Sequence, residues 1–301
     1  MAKIEKEKTF KKATTLDEQL ELLKSRGLDT WFKDEDVKKY LFDIGYYRLG
    51  FYLFPFQIDY PSKINRTHQF KKGYNLSNVL NLYDFDSALR NMVLSYIQKI
   101  EINFKTKVIY KCSLHYQDDP VWYIRHRNLK HEFVSRIQNN YIKKYRIYNA
   151  IGHHHIKYPE DDYVPAWKIV EYFSFGDVLF LFNSLKNNAL QIDISQSFGI
   201  KWVSVFENYM TRIISIRNIC SHNNSLFDHR FEKSIKNGPA ISINNDNQFK
   251  IYSGIRLINY LHNQLPFVEK DKLLSEVTEL INEFKQEDEK LIEILDDFVK
   301  V

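Results

Sequence analysis

Arg217-Asn218-Ile219-Cys220-Ser221-His222 places a guanidinium, a carboxamide and an imidazole within six residues of the stretch Arg212 to Asn223. An imidazole with a pKa of ~6.5 takes or gives a proton near neutral pH. A guanidinium holds phosphate and stabilises the extra negative charge of a pentacoordinate state. The neighbouring carboxamide can orient either partner. These groups would suit RNA cleavage in which the ribose 2′-OH attacks the adjacent phosphate, with no metal ion required. Spacing adds a constraint. On an α-helix Asn218 and His222 share a face at i,i+4, whereas Arg217 and His222 point about 140° apart. They converge if His222 stands at a frayed helix end, where Asn223-Asn224 favour termination. They also converge if two such helices face each other across a two-fold axis, each giving an Arg and a His. A surface Arg followed by a helix-ending His, stabilised by the helix dipole, leaves the same pattern in a sequence.

Other residues compete for attention. Arg127-Asn128-Leu129-Lys130-His131 repeats the Arg-Asn…His order but is one residue shorter. It lies in Val121–Tyr148, which carries 7 Lys or Arg against one acid, Glu132, with Trp122, Tyr123, Phe133, Tyr141, Tyr145 and Tyr148 interleaved. Arg125, Arg127, Lys130, Lys143, Lys144 and Arg146 could neutralise phosphates while the aromatics stack bases, a candidate RNA-binding surface. A solvated basic helix with its aromatics in the core is the equal alternative. His153-His154-His155 reads as a solvated loop, because adjacent residues rarely converge on one ion and no Cys, Asp or Glu stands beside them at ligand spacing. Asp84 and Asp86 have no visible partner for paired-carboxylate or two-metal chemistry. No Ser sits in a nucleophile elbow, and Cys220 reads as a small buried filler. The sequence therefore predicts neither a metal nor a cofactor.

The elements that must carry these residues are helical. Thr15-Leu16-Asp17-Glu18 is a capping box, Leu16, Leu20 and Leu23 follow at helical spacing, and Gly27 supplies a stop. Asp34 to Asp43 predicts a second short helix, Gly45 to Phe56 is an aromatic stretch, and Gln57 to Gly73 reads as a loop. Neither Gly nor Pro occurs between Gly73 and Pro120. The periodicity there predicts one long helix, roughly Ser77 to Leu114, as the spine of a bundle. Further helices are expected near His131–Tyr148, Ala166–Phe173, Gly176–Asn187, Lys201–Ser221 and Ser253–Gln264, with a loop around Gly152, Pro159 and Pro165. Ala240–Tyr252 alternates Ile241, Ile243, Phe249 and Ile251 with polar residues around Asn244-Asn245-Asp246-Asn247, a β-hairpin pattern. From Leu273 to Phe298 runs a charged amphipathic helix with a break near Gln286–Glu289. The organisation read from this is an N-terminal helical and aromatic segment at 1–73, a helical core at 74–268 with the hairpin at 240–252, and an acidic helix at 269–301.

Composition agrees. With 44% hydrophobic residues the 301-residue chain can build a core, and 9 Gly with 7 Pro work against turn-rich β architectures. No Gly-rich phosphate loop is present. Cys112 and Cys220 are too far apart in sequence for a CxxC zinc site or a disulfide framework. No apolar run approaches the ~18 residues of a membrane span, and Met1–Lys12 holds five Lys and no apolar core, so a soluble, cytoplasmic chain with no membrane partner is expected. Residues 269–301 carry 11 acids against 5 bases, so the net charge of +5 conceals a body of +11 at 1–268. Such a body suits a polyanionic partner, although ordinary surface charge would also account for it.

Several blocks together resemble the Abi-like family of bacterial abortive-infection proteins (AbiD/AbiF type). They are Thr15–Leu28, Ile44-Gly45-Tyr46-Tyr47-Arg48-Leu49, Leu82-Tyr83-Asp84-Phe85-Asp86 with Leu89-Arg90, and Ile100-Glu101. Pro165-Ala166-Trp167, Glu171 and Ser174-Phe175-Gly176 follow, then Ile216–Asn223 with Phe227-Asp228-His229-Arg230. Gly50 directly after Leu49, and Ser221 in place of Ala, are the departures. The resemblance implies a HEPN-type helical domain in which Arg217, Asn218 and His222 are the ribonuclease motif. Arg217 would hold the scissile phosphate, His222 would be the acid/base and Asn218 would orient one of them, with Asn223 and Arg230 in support. It further implies phage defence or a toxin–antitoxin role, a small non-coding RNA as partner in some members, and a homodimer, since one motif per chain must be completed by a second. An RNA-binding protein without catalysis is the alternative.

Overall fold

The computed structural model describes residues 12–29, 32–242 and 247–300. Regular structure is helical throughout, as expected, and among the described residues β pairing is confined to isolated bridges such as Arg230 with Lys250. The chain divides into two compact units, Met1–Asp86 with Ile281–Asp297, and Ser87–Leu280 with Phe298–Val301. The division falls inside the spine helix, Leu76–His115, whose 40 residues match the uninterrupted periodicity of the sequence.

In the first unit the capping box forms as read: Thr15 N–H donates to Glu18 Oε2 at 2.7 Å and Glu18 N–H to Thr15 Oγ1 at 3.2 Å, opening helix Leu16–Ser25. Helix Asp34–Tyr40 continues through a π turn, Leu41–Gly45, into helix Tyr46–Leu53, so the aromatic stretch is helical. Tyr52 O–H donates to the fully buried Asp86 at 2.7 Å. The C-terminal segment breaks at Asp288, whose carboxylate accepts from Asn78 and Asn81. Helix Lys272–Glu287 precedes the break and Ile292–Val299 follows it.

The second unit holds the Arg217–His222 stretch. Its core gathers around Phe104 of the spine helix, whose ring meets Phe175, Phe182, Phe198 and Phe206 with centroids 6.0, 6.1, 6.2 and 5.7 Å away. Phe206 belongs to the motif helix, Val203–Ser221, so this cluster ties the two helices together. Edge-to-face ring pairs add roughly 0.5–1.5 kcal/mol each beyond area burial. On its other side the motif helix meets helix Ile251–His262 at Gly254. A Cβ there would stand 2.7 Å from Ile216 Cδ1 and 2.9 Å from Phe231 Cζ, so only glycine admits this approach. At the end of that helix His262 is buried, its ring edge-on to Tyr96 at 4.7 Å, and neither ring nitrogen has a hydrogen-bond partner among the described residues.

Three sequence expectations change. Among the described residues of 240–252 no hairpin is present: Ile251 opens a helix, and Phe249 and Gln248 accept from the N–H groups of Phe231 and Ile235 rather than pairing with Ile241. Ile251, Ile255 and Ile258 are buried, so their helical spacing prevails over the short alternation; 243–246 lie outside the described residues. The expected loop around Gly152 contains helix Asn149–Lys157. Helix Asn188–Gln196 appears where none was read, opened by the Asn187 side chain accepting from Leu190 N–H at 3.1 Å.

Candidate functional site

Asn223 decides where the motif helix stops. It adopts φ 54°, the left-handed conformation that asparagine tolerates better than most residues. Two hydrogen bonds close the end, Asn223 N–H to Cys220 O at 3.2 Å and Asn224 N–H to Ile219 O at 3.0 Å. This is the Schellman arrangement, and it satisfies carbonyls that the helix terminus leaves open. His222 is the C-cap, with φ −98° and ψ 10°, and its own N–H still donates to Asn218 O at 3.0 Å. The helix therefore stays ordered through Ser221 rather than fraying. The regular geometry keeps Arg217 and His222 about 140° apart.

The burial pattern sets what each side chain faces. Phe206, Tyr209, Met210, Ile213, Ile216 and Cys220 line the buried side, and Cys220 is the filler that the sequence suggested. Thr211, Asn218 and His222 are exposed on the opposite side. Arg217 lies at the edge between them. Its Nε stands 3.8 Å from Glu101 Oε2 of the spine helix, and Lys105 Nζ lies 3.4 Å from the other oxygen, Oε1. Glu101 is three residues from Phe104, so the aromatic cluster fixes its position. At 3.8 Å the contact is an ion pair without a hydrogen bond, and the Arg217 guanidinium makes no hydrogen bond among the described residues. Its N–H donors are thus held near one anion yet left available to another. Arg230 is exposed, its backbone bridged to Lys250, and it makes no hydrogen bond or ion pair with Arg217, Asn218 or His222 among the described residues.

The basic stretch separates into engaged and open residues. Arg125 and Arg127 both bond Asp119, with N···O distances of 2.9 Å and 3.0 Å. Lys144 and Arg136 share the buried Asp177, at 3.3 Å and 2.6 Å. Burial would raise the Asp177 carboxyl, but hydrogen bonds from Ser174 and the charges of Lys144 and Arg136 bring it below the usual range. Lys130, Lys143 and Arg146 are exposed and have no ion-pair partner among the described residues. The interleaved aromatics do not form a stacking surface: Trp122, Tyr123, Phe133, Tyr141 and Tyr145 are buried in the core. Tyr148 alone of the six is exposed, and its ring stacks on Tyr172 at 4.0 Å.

The His153-His154-His155 run is helical, and two of its rings are engaged. His154 Nε2 bonds Asp161 Oδ2 at 2.9 Å while Lys168 Nζ approaches Nδ1 at 3.0 Å. His155 Nδ1 donates to Asp161 O, which leaves Nε2 to accept from Tyr141 O–H. Burial and the nearby Arg146 lower the His155 pKa.

Glu101 is the residue that sequence reasoning did not place at the site. Glu101-x-x-x-Lys105 reads locally as an ordinary i,i+4 surface pair, and only the packing of the spine helix against the motif helix brings it to Arg217. Comparisons with curated proteins and with solved structures found no match. A family model described as Abi-like protein matches residues 39–228. The matched span contains Glu101, Lys105 and the whole Arg217–His222 motif, and it leaves the Thr15–Leu28 block outside. The span ends two residues short of Arg230 but takes in Arg217, Asn218, His222 and Asn223; since it covers well over half of the chain, this protein belongs to the Abi-like family.

Proposed function

We propose that this protein is an abortive-infection ribonuclease, acting in phage defence or as a toxin, that cuts RNA by 2′-OH attack without a metal ion. Arg217 holds the scissile phosphate and His222 moves the proton. Asn218, on the same exposed face as His222, orients the imidazole or the phosphate, and Asn223 supports the site by fixing the cap. The observation that carries this reading is the state of the Arg217 guanidinium: beside Glu101 at 3.8 Å and, among the described residues, without a hydrogen bond, next to an exposed face that presents His222. A regular helix cannot aim both groups at one phosphate, so the reading includes a second copy of the motif in a homodimer. This is the HEPN-type arrangement that the motif resembles. Arg125, Arg127 and Lys144 would contact RNA only by leaving their acids, whereas Lys130, Lys143 and Arg146 need not.

The test is cleavage of an RNA panel in EDTA. Products should carry 2′,3′-cyclic phosphate or 3′-phosphate and 5′-hydroxyl ends, and 2′-O-methyl substitution at the cut should block the reaction. Activity that requires Mg²⁺, or that survives in His222→Ala, would overturn the mechanism. Exposed Lys143 and Arg146 favour a second reading, in which the protein holds a small non-coding RNA without cutting it. Full-length, unprocessed RNA recovered with the purified protein would select that reading.

A further inference from the structure

The spine helix carries an outward face that its own chain does not cover. From Asn91 to Leu114 the one charged residue among its exposed positions is Lys99, in a chain that is 27% charged. Ile102, Tyr110 and Leu114 are 65%, 64% and 56% exposed, and Thr106, also exposed, completes a row at every fourth residue. A row at i, i+4, i+8 and i+12 is a ridge of the kind that interdigitates with an identical ridge when two helices cross. It runs roughly 18 Å along the helix. Its first member, Ile102, adjoins Glu101, so the row begins beside the Glu101–Arg217 pair.

We infer that this row is the contact through which a second copy of the chain docks and brings its motif helix to the first. The inference deepens the ribonuclease reading and rests on its requirement for a second motif. Charge argues for this occupant. In a two-fold interface each residue meets the same patch on the partner, so like charges would repel, and this face holds almost none. RNA would need a line of open cations here, and Lys99 is the one exposed; Lys105 and Lys111 are paired with Glu101 and Asp193, and Lys107 lies over the Phe198 ring. The stripe alone is narrower than the ~800 Å² per partner of a standard interface, so the exposed polar face of the motif helix, with Thr211 and Asn218, completes the contact.

The experiment is light scattering of the full-length protein over a concentration series, with circular dichroism to check folding. Wild type should be a dimer. Ile102→Lys with Tyr110→Lys should raise the dimer dissociation constant on the order of 100-fold, because two buried anchors become like charges facing each other. Phe51→Lys, at an exposed aromatic outside the row, should leave the dimer intact. Thr106→Cys should cross-link two chains under oxidation, and Cys112 and Cys220 are both buried. A monomeric wild type, or a double variant that stays dimeric, would overturn the inference. If the substitutions split the dimer but wild type never cuts RNA, the surface stands and the ribonuclease reading falls. If wild type cuts RNA and the monomeric double variant cuts equally well, the row does not assemble the site.

Discussion

His222 is the last residue to make a helical hydrogen bond and stands at the point where the chain turns away, so its imidazole projects clear of the helix while its backbone remains fixed. The exposed imidazole is not a packing group, and in the proposed mechanism it is the acid/base: His222→Ala should lower the cleavage rate ~10²–10⁴-fold. Arg217→Ala should cost ~10²–10³ through lost stabilisation of phosphate charge. Both positions are at least partly exposed, so melting temperatures should stay close to wild type; a large drop in either variant would make the residue structural. Glu101 lies 3.8 Å from Arg217, and in the proposed mechanism it is a positioning residue. Glu101→Gln keeps the shape and removes the charge, so RNA should bind more tightly while the guanidinium is less well aimed. Steady-state kinetics should show KM and kcat falling together, and an unchanged KM would remove Glu101 from the site. The motif itself was legible because its chemistry is local. Glu101 was not, because its role depends on a neighbour more than a hundred residues away.

At the scale of elements, the cap of the motif helix is the most exposed to test. Asn223 at φ 54° tolerates glycine but not a β-branched side chain. Asn223→Gly should leave stability and cleavage near wild type, whereas Asn223→Val should destabilise by about 1–2 kcal/mol and reduce cleavage by turning His222. Thermal melts and initial rates on the two variants decide this, and equal behaviour would refute the cap's role. The same locality explains what the sequence disclosed elsewhere. Thr15–Glu18 and the run without Gly or Pro from 74 to 119 specify their helices with their own neighbours. Ile241 and Ile251 read as two arms of a hairpin because four alternating apolar residues fit a strand and a helix start equally well, and the burial of Ile255 and Ile258 decides for the helix at Ile251. Helix Asn188–Gln196 escaped notice because its signal, a capping Asn187 before Leu190 and Ile194, is short. The aromatics of 121–148 could not be assigned to core or surface until the tertiary packing placed five of the six inside.

For the whole molecule, the basic body and the buried groups set the response to salt and acid. Lys143 and Arg146 are open, whereas Lys144 is held by Asp177. Changing Lys143 and Arg146 together to Ala should therefore flatten the log K against log salt slope for single-stranded RNA by about 1.4, and adding Lys144→Ala should change it little more. Filter binding at several salt concentrations measures both. Acid acts through His262. Burial lowers its pKa from 6.5, the charges of Lys99 and Lys270 lower it further, and Glu276 opposes them. The unfolded chain then binds a proton that the folded chain refuses. Stability is complete above about 6.5 and declines as pH falls toward the lowered native value. His155 adds to the same trend. The carboxyls of Asp119, Asp177 and Asp271 sit below their usual 3.8, so their loss comes at lower pH. The melting temperature should fall between pH 7 and 5, and His262→Phe should flatten that fall; an unchanged profile would exclude His262. Glu101 has a consequence beyond positioning. An arginine with a resident counter-ion is an ion exchanger, so an incoming anion must displace a carboxylate rather than fill an empty place. A lone sulfate or phosphate gains little from that exchange. A strand already held along the basic body makes it at high local concentration, so the site would discriminate polymers from small anions before any base is read.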